Sequence, residues 1–348
     1  MIKSGEAFQE ALFKEVPKRR LTPREEARLQ RAKRSHENKR GRKKPAKLPS
    51  QLSRTAAFAP KRQGLITDSN FSRTYTVSGP GGSVINVEGR ELGSQHRDAL
   101  YALFRFKAVR VVATNPHYDP MGRHTLNNPR QIVHYEVMTS WRDILIATDK
   151  TQHANNLLTA LHVYEDIKKV VVRVQEGDPA HILEANKSGG LGGSGFSGNL
   201  LDDITWDGVE LDSRVYIRYG KWVRDKLERT HIVSLNAEVQ FKLKNDHAKS
   251  FWPYIDSQPN HTFIDEHRLA ELAGRDLWGN DETALTRGDF RKKCKAAFDD
   301  MVKCFGLAEY TVEVTGAGRR KGRRYTYIHA LPRQIELSLD AKKRAGDE

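Results

Sequence analysis

A glycine-rich turn near the carboxyl end carries the residues best suited to binding phosphate. The turn runs from Gly316 to Gly322 within the stretch YTVEVTGAGRRKGRRYTYIHAL. Its candidate phosphate ligands are Arg319, Arg320, Lys321, Arg323 and Arg324. Guanidinium and ammonium groups bind nucleic-acid backbones without reading bases. Taken alone, the turn fits two interpretations, contact with nucleic acid and simple solubility of an exposed hairpin.

A second basic cluster lies on a predicted helix just upstream, in the stretch TRGDFRKKCKAAFDDMVKCFGL. Apolar residues recur there at helical spacing and predict a buried face formed by Phe290, Cys294, Phe298, Met301 and Phe305. Thr286 and Asp289 have the spacing of a capping box at the start of this helix. The opposite side carries Arg287, Arg291, Lys292 and Lys295. On a helix that enters the major groove, these cations would meet guanine edges and phosphates.

A third polar cluster lies on an earlier predicted helix, in the stretch DKTQHANNLLTALHVYEDIKKVVVRV. The predicted buried face holds Ala154, Leu157, Leu158, Leu161 and Tyr164. The opposite face carries Gln152, His153, Asn155, Asn156 and Thr159. Asn and Gln side chains pair bidentately with adenine in the major groove, which predicts base contact. A merely solvated helix face is the alternative interpretation.

The elements around the second cluster follow the order of a winged helix. AKSFWPYIDSQP predicts a first helix, and HTFIDEHRLAELAG predicts a short strand ending at an Asp265 cap, then a helix closed by Gly274. The basic helix follows, and the alternating runs TVEV and YTYIHA predict the two antiparallel strands of the charged hairpin. In such a fold the charged wing lies beside the recognition helix. We therefore predict a winged-helix domain over residues 246–340.

The same order appears earlier in the chain, in a more diverged form. Residues 94–112 predict an apolar helix, and IVHYEVMTSWRDILIATD predicts a strand followed by a helix capped at Thr139 or Ser140. The glycine-rich residues 186–199 lack the Gly-Lys-Ser or Gly-Lys-Thr ending of a Walker loop. They are interpreted as a flexible insertion between the strands of the first wing. These elements predict a first winged-helix domain over residues 48–245.

Positive charge is concentrated at the amino end. The 348 residues carry a formal net charge of +15, and residues 17–47 alone contribute fourteen Lys or Arg against three Glu. So polar a segment cannot bury a core, which predicts a disordered tail over residues 1–47 that adds non-specific affinity for phosphate. A nuclear-import signal is the alternative for such clusters. The predicted fold class is therefore α+β, with two tandem winged-helix domains preceded by a disordered basic tail.

Several classes of protein are disfavoured by what the sequence lacks. Without an apolar run long enough for a membrane span or a signal-peptide core, we expect a cytoplasmic protein with no membrane partner. Cys294 and Cys304 lie too far apart on one predicted helix to form a disulfide. The thirteen histidines include no HExxH motif and no pair separated by one residue. We therefore predict no metal, no cofactor and no enzymatic activity.

The paired arrangement resembles the iteron-binding replication initiator proteins of bacterial plasmids, the Rep family with tandem winged helices. The resemblance covers about residues 48–337 and is carried by the order of the elements and by two stretches, YEVMTSWRDILIATDKTQHANNLLTALHVYEDIKKV and FRKKCKAAFDDMVKCFGLAEYTVEV. It implies that one chain binds the repeats of a plasmid origin with both domains and opens nearby A·T-rich DNA. It also implies recruitment of the host replication initiator and replicative helicase, a nucleoid- or plasmid-associated location, and allows for a homodimer.

We therefore predict sequence-specific binding of double-stranded DNA at a plasmid replication origin, which initiates replication. A transcriptional repressor built from the same domains is the main alternative, and a DNA-nicking enzyme is a further one. The DNA beside the gene separates the first two. Tandem repeats of about 20 base pairs favour the initiator, and a lone palindrome favours a dimeric repressor.

Overall fold

The computed structural model describes residues 45–77, 82–115, 118–119, 121, 130–208, 210–228, 232–258, 260–275, 277, 284–316 and 321–330. The predicted basic tail up to residue 44 lies outside these residues, as do Arg319 and Arg320 of the basic turn. All the described residues belong to one compact unit between Arg42 and Glu348.

A set of short strands precedes the first winged helix. Its elements are β1 (Ala46–Pro49), α1 (Ser50–Arg54), β2 (Phe58–Ala59), β3 (Phe71–Val77), β4 (Ser83–Gly89) and β5 (Leu92–Gly93). Strands β3 and β4 form an antiparallel hairpin, and β2 pairs in parallel with β5. Ala46 and Leu48 are fully buried, so the folded part of the chain already begins before residue 48.

The first winged helix follows, and two strands and a helix are inserted between its third helix and its wing. The elements are α2 (Ser94–Leu103), β6 (Ala108–Thr114), β7 (Gln131–Ser140), α3 (Trp141–Ala147), α4 (Ala154–Lys168), β8 (Val171–Glu176), α5 (Pro179–Lys187), β9 (Ser194–Asn199), β10 (Leu201–Trp206) and β11 (Arg214–Tyr219). The Ser140 side chain accepts a hydrogen bond from the Asp143 amide. The predicted cap at the start of α3 is therefore confirmed.

The second winged helix completes the described chain. Its elements and those that lead to it are α6 (Lys221–Glu228), β12 (Ile232–Leu235), α7 (Ala237–Lys242), α8 (Asp246–Ser257), β13 (Phe263–Asp265), α9 (Glu266–Leu272), α10 (Ala284–Lys303), β14 (Leu307–Thr315) and β15 (Gly322–His329). Strand β12 returns to the start of the fold and pairs antiparallel with β1. The predicted hairpin strands are confirmed as β14 and β15.

The two winged helices share one strand order. In the first, β11 pairs with β10 on one side and β7 on the other; in the second, β15 pairs with β14 and β13. In each domain the strand before the helix-turn-helix thus joins the second strand of the wing in antiparallel register. The helices α2, α3 and α4 correspond to α8, α9 and α10. The prediction of an α+β chain with tandem winged helices is confirmed.

The predicted helix over residues 94–112 is wrong in its second half. Helix α2 ends at Leu103, and the residues from Ala108 to Thr114 form strand β6, which pairs with β7. The run AVRVVAT is rich in β-branched residues, which pack well on a pleated surface. A full antiparallel ladder with β7 is therefore more stable for these residues than a longer helix.

The glycine-rich residues 186–199 do not lie between the strands of the first wing. Those strands are β10 and β11, and the glycine-rich segment contains the end of α5, a turn and strand β9. Strand β9 pairs with β8 in the sheet β3-β4-β8-β9. A Cβ atom on Gly195 would lie 2.2 Å from the Val174 carbonyl oxygen. At this position glycine permits close approach of two strands, so the interpretation as a flexible insertion is wrong.

Some predicted helix ends and faces are also wrong. Asp265 precedes α9 without a side-chain capping hydrogen bond, because its carboxylate is engaged by the wing. Helix α10 begins before Thr286, so the predicted capping box is not at its start. Phe305 is 67% exposed and follows the helix with a φ of 58°. In α4, Ala154 and Leu158 are exposed rather than buried.

Buried polar contacts join the first helices of the two winged helices. Arg97 of α2 is 1% exposed and donates to the carbonyl oxygens of Lys249 at 2.7 Å and of Phe58 at 2.9 Å. Asp98 accepts hydrogen bonds from Lys249 Nζ and, at 3.0 Å, from Gln240 Nε2. Ion pairs and hydrogen bonds of this kind have directional geometry, so they hold α2 and α8 in one relative position.

Acidification should destabilise the protein through His247 of α8. Burial, together with the nearby Lys293, lowers the pKa of His247 from 6.5 to about 4. Between these values the unfolded chain binds a proton that the folded chain does not, so the free energy of unfolding decreases as the pH falls from 6.5. At about 1.4 kcal/mol per pKa unit, His247 contributes about 3 kcal/mol to the free energy of unfolding above pH 6.5. This contribution is lost as the pH falls to about 4.

Urea unfolding at pH 7 and pH 4.5, without phosphate in the buffer, measures this effect. The His247→Gln variant should lose less stability between the two pH values than the parent. An equal loss in parent and variant would show that other groups cause the whole pH dependence.

Candidate nucleic-acid interface

Helix α4 presents the predicted adenine-reading cluster at its first turns. His153 occupies the N-cap position, and its Nδ1 accepts a hydrogen bond of 3.3 Å from the Asn155 amide. Gln152, His153, Asn155 and Thr159 are exposed, whereas Asn156 is half-buried. The buried side of the helix is formed by Leu157, Ala160, Val163, Tyr164 and Ile167. The polar cluster therefore lies on the outer side of the helix, as a recognition helix requires.

Two members of this cluster have their donors occupied inside the protein. Asn156 Nδ2 donates to the Thr151 carbonyl oxygen at 2.9 Å and to Thr151 Oγ1 at 2.8 Å. Thr159 Oγ1 donates to the Asn155 carbonyl oxygen at 2.9 Å. The Asn155 carboxamide makes no hydrogen bond within the part of the chain that the structure describes. Gln152 and Asn155 are thus the two carboxamides best placed to reach a base.

Arg142, at the start of α3, fixes the orientation of Gln152. Its guanidinium donates to both carboxylate oxygens of Asp212, at 2.6 and 2.8 Å, and to Gln152 Oε1. This ion pair raises the pKa of Arg142 and lowers the pKa of Asp212. An arginine can only donate, so the Gln152 oxygen must face it. The Gln152 amide nitrogen therefore remains available as a donor to a base acceptor.

Helix α10 carries the second candidate reading surface. Phe290, Cys294, Phe298 and Met301 are fully buried, which confirms the predicted core face up to Met301. On the outer side, Lys292 and Lys295 are exposed. The Lys292 side chain is 84% exposed, and its nearest carboxylate is Asp289 at 3.5 Å. Exposed ion pairs of this kind are weak, so both ammonium groups can move to a phosphate or a guanine edge.

Arg291 positions the wing in this structure. Its guanidinium donates to Glu266 Oε1 at 2.6 Å, to Glu266 Oε2 at 3.0 Å and to the Lys321 carbonyl oxygen at 3.0 Å. The pair with Glu266 raises the pKa of Arg291. A guanine contact by Arg291, as the sequence predicts, would require breaking this pair. Arg287 is half-buried and donates to the Leu277 carbonyl oxygen at 3.5 Å.

A second arginine also ties the wing to the helix-turn-helix. Arg324 donates to both carboxylate oxygens of Asp265, at 2.8 and 3.4 Å, and lies 4.2 Å from the centre of the Phe263 ring. Arg323 is half-buried beside Val314 in the ladder. The side chain of Lys321 is exposed at the end of the turn. The basic cluster therefore combines residues that fix the hairpin with residues that face solvent.

The turn of the first wing differs from that of the second. It joins β10 to β11 and carries Asp207, Glu210 and Asp212, and its described residues include no Lys or Arg. Asp212 is the residue that Arg142 binds. Neither partner could be identified from the sequence, because the two lie seventy positions apart in the chain. The two wings are therefore matched in topology and opposite in charge.

The fold is similar to those of two solved proteins. One is a crystal structure of domains 2 and 3 of RctB, at 12% identity, with a TM-score of 0.48 over 80% of this chain and 98% of that chain. Another is the Pi initiator protein in complex with iteron DNA, at 11% identity, with a TM-score of 0.47 over 83% of this chain and 98% of that chain. These similarities concern the fold alone. No family model and no curated protein matches the sequence.

Three further observations concern other classes of site. No group of three His, Cys, Asp or Glu side chains among the described residues could hold a metal ion. No helix in the described ranges is both long and apolar enough to cross a membrane. Cys294 and Cys304 are free thiols, the first buried and the second half-buried.

Proposed function

We propose that this chain binds a specific double-stranded DNA sequence with both winged helices and initiates replication at a plasmid origin. The proposal is supported most directly by the two recognition helices, α4 and α10. Each exposes its polar or basic side, and each is flanked by a wing of the same strand order. The binding is non-enzymatic and uses no metal or cofactor.

The two recognition helices carry different side chains, which favours an asymmetric DNA site. The first helix presents carboxamides and the second presents ammonium groups, so the two would prefer different base sequences. The buried contacts of Arg97 and Asp98 with α8 hold the domains at one spacing. A palindrome instead matches the two-fold symmetry of a homodimer. Directly repeated sites of about 20 base pairs, near two helical turns apart, are therefore the favoured target.

The candidate DNA-binding residues divide into those that contact bases and those that bind phosphate. We assign base reading to Gln152 and Asn155 in the first domain. In the second domain, Lys292 and Lys295 contact guanine edges or phosphates. The wing residues Arg319, Arg320, Lys321 and Arg323 and the basic tail bind the DNA backbone. Origin opening and recruitment of the host initiator and helicase rest on the family resemblance.

Removal of residues 1–47 should weaken binding to all DNA by a similar factor. Each phosphate that the tail no longer neutralises reduces the slope of log affinity against log salt concentration by about 0.9. Because β1 begins at Ala46, deletion of residues 1–44 is the variant that leaves the fold intact. Titration of a specific and a scrambled duplex over a salt series measures the effect. A changed sequence preference would show that the tail reads bases.

Selection from a random duplex library tests the proposed target. We expect an asymmetric site in which Asn155→Ala relaxes one end and Lys292→Ala alters the other. Lys303→Ala, a matched change at the far end of α10, should leave the selected site unchanged. A symmetric palindrome, altered equally in both halves by Asn155→Ala, would instead favour a dimeric repressor.

A further inference from the structure

A pocket of about 300 Å³ lies where the amino-terminal strands meet the second winged helix. Its lining includes Lys61, Arg73, Tyr75 and Glu91 from the first part of the chain. The second part contributes His247, Arg275 and Lys293. The volume is at the lower end of the range for small-molecule sites. Four cations therefore face one carboxylate in a concave site between two parts of the fold.

The single carboxylate of the pocket, Glu91, holds two of the cations in place and leaves the lining with a net positive charge. Glu91 is 3% exposed, and its two oxygens lie 2.8 Å from Lys61 Nζ and 3.2 Å from Arg73 Nη1. It also accepts a hydrogen bond of 2.9 Å from the Ile66 amide. A buried carboxylate held by three donors keeps both cations at the wall of the pocket. The remaining charge of the lining is strongly positive.

The second wall contributes two further cations, Arg275 and Lys293. The Arg275 guanidinium lies 5.1 Å from the centre of the Phe290 ring. Lys293 is exposed, and its charge helps to keep His247 neutral by lowering the pKa of the imidazole. The Tyr75 hydroxyl is neutral at pH 7, and burial raises its pKa further, so it can donate a hydrogen bond. The pocket thus combines donors that Glu91 holds in place, Lys61 and Arg73, with further positive charge, and this combination binds phosphate.

We propose that this pocket binds a phosphate group and that Lys293 is one of its ligands. The group belongs either to a small phosphorylated molecule or to the backbone of bound DNA, because both present the same anion. The low-dielectric walls concentrate the field of the cations. A bound phosphate group would connect the wall formed by β3 and Glu91 to the wall formed by α10. The proposal is independent of base reading by α4 and α10.

Titration calorimetry of the full chain with inorganic phosphate, in the absence of DNA, tests whether the pocket binds the phosphate group of a small molecule. We expect binding that Lys293→Ala weakens about tenfold, since one charge-assisted hydrogen bond is removed. Lys303→Ala, on the same helix and away from the pocket, serves as the control. Circular dichroism confirms that both variants are folded.

Titration of DNA over a salt series tests the second source. If the pocket binds a backbone phosphate, Lys293→Ala should lower the slope of log affinity against log salt by about 0.9, and Lys303→Ala should not. Binding of inorganic phosphate with an unchanged DNA slope identifies a small phosphorylated ligand. No phosphate binding together with an unchanged slope overturns the proposal, while the selected DNA site would remain as evidence for the proposed function.

Discussion

Replacement of Asp98 by alanine is expected to lower the free energy of unfolding by about 3–5 kcal/mol. The Lys249 side chain, its partner, is only 3% exposed. Without Asp98 the Lys249 ammonium group would be buried with no counter-charge, and Lys150, whose pKa burial already lowers, would lose the same carboxylate. Urea unfolding at pH 7 measures the difference.

Two matched variants separate this explanation from a general effect of truncation. Asp289→Ala removes a carboxylate from an exposed ion pair on α10 and should change the stability by less than about 1 kcal/mol. The double variant Asp98→Ala, Lys249→Met removes the orphaned charge and should recover part of the loss. If the double variant were no more stable than Asp98→Ala, the buried charge would not be the cause.

The second large effect is expected from the Gln152→Ala, Asn155→Ala double variant. A bidentate contact of Asn155 with a base contributes about 1–3 kcal/mol to discrimination, and the single hydrogen bond that the Gln152 amide nitrogen can donate contributes about 0.5–1.5 kcal/mol. Removal of both side chains should therefore reduce the preference for a selected site over scrambled duplex by about 1.5–4.5 kcal/mol. Affinity for scrambled duplex should change little, because neither side chain is charged. Competition binding at a fixed salt concentration measures the preference.

His162→Ala provides the matched control on the same helix. His162 is exposed on α4 beyond its first turns, so its removal should leave the preference intact. Arg142→Ala adds a further distinction, because Arg142 orients Gln152. We expect it to weaken discrimination at the base that Gln152 reads, and to have no such effect in the absence of Gln152. An effect of Arg142→Ala that persists in the Gln152→Ala background would contradict this role.

The helices and hairpins with strong local patterns were predictable from the sequence. Ser140 caps α3, and Phe290 with its helical repeats forms the core side of α10, because capping and amphipathic periodicity are local properties. The charged hairpin was equally clear from its two alternating runs. The failures at β6 and β9 have one cause. A valine-rich run and a glycine-rich run became strands through pairing with distant partners, which local propensity does not encode.

The same distinction applies to the candidate site. The sequence identified the polar residues of α4, since their spacing places them opposite its apolar residues. It could not show that the Asn156 side chain donates a hydrogen bond to Thr151. It also could not show that Arg291 pairs with Glu266, which lies twenty-five positions earlier in the chain. Nor did it indicate the pairing of Arg142 with Asp212. Residues that hold a recognition helix and its wing in place are found only once the tertiary contacts are known.

The central claim is that the recognition helices contact bases while the charged wing binds the DNA backbone. It is tested most directly by measuring the affinities of two variants for a selected site and a scrambled duplex over a salt series. One is the Gln152→Ala, Asn155→Ala variant, and the other replaces Arg319, Arg320 and Arg323 with alanine.

The helix variant should keep the salt slope of the parent and lose part of its preference for the selected site, since α10 still contacts the other end. The wing variant should bind both duplexes more weakly, with a slope reduced by up to about 3, and keep its preference. A helix variant that still discriminates as the parent does, beside a wing variant with an unchanged slope, would contradict the account.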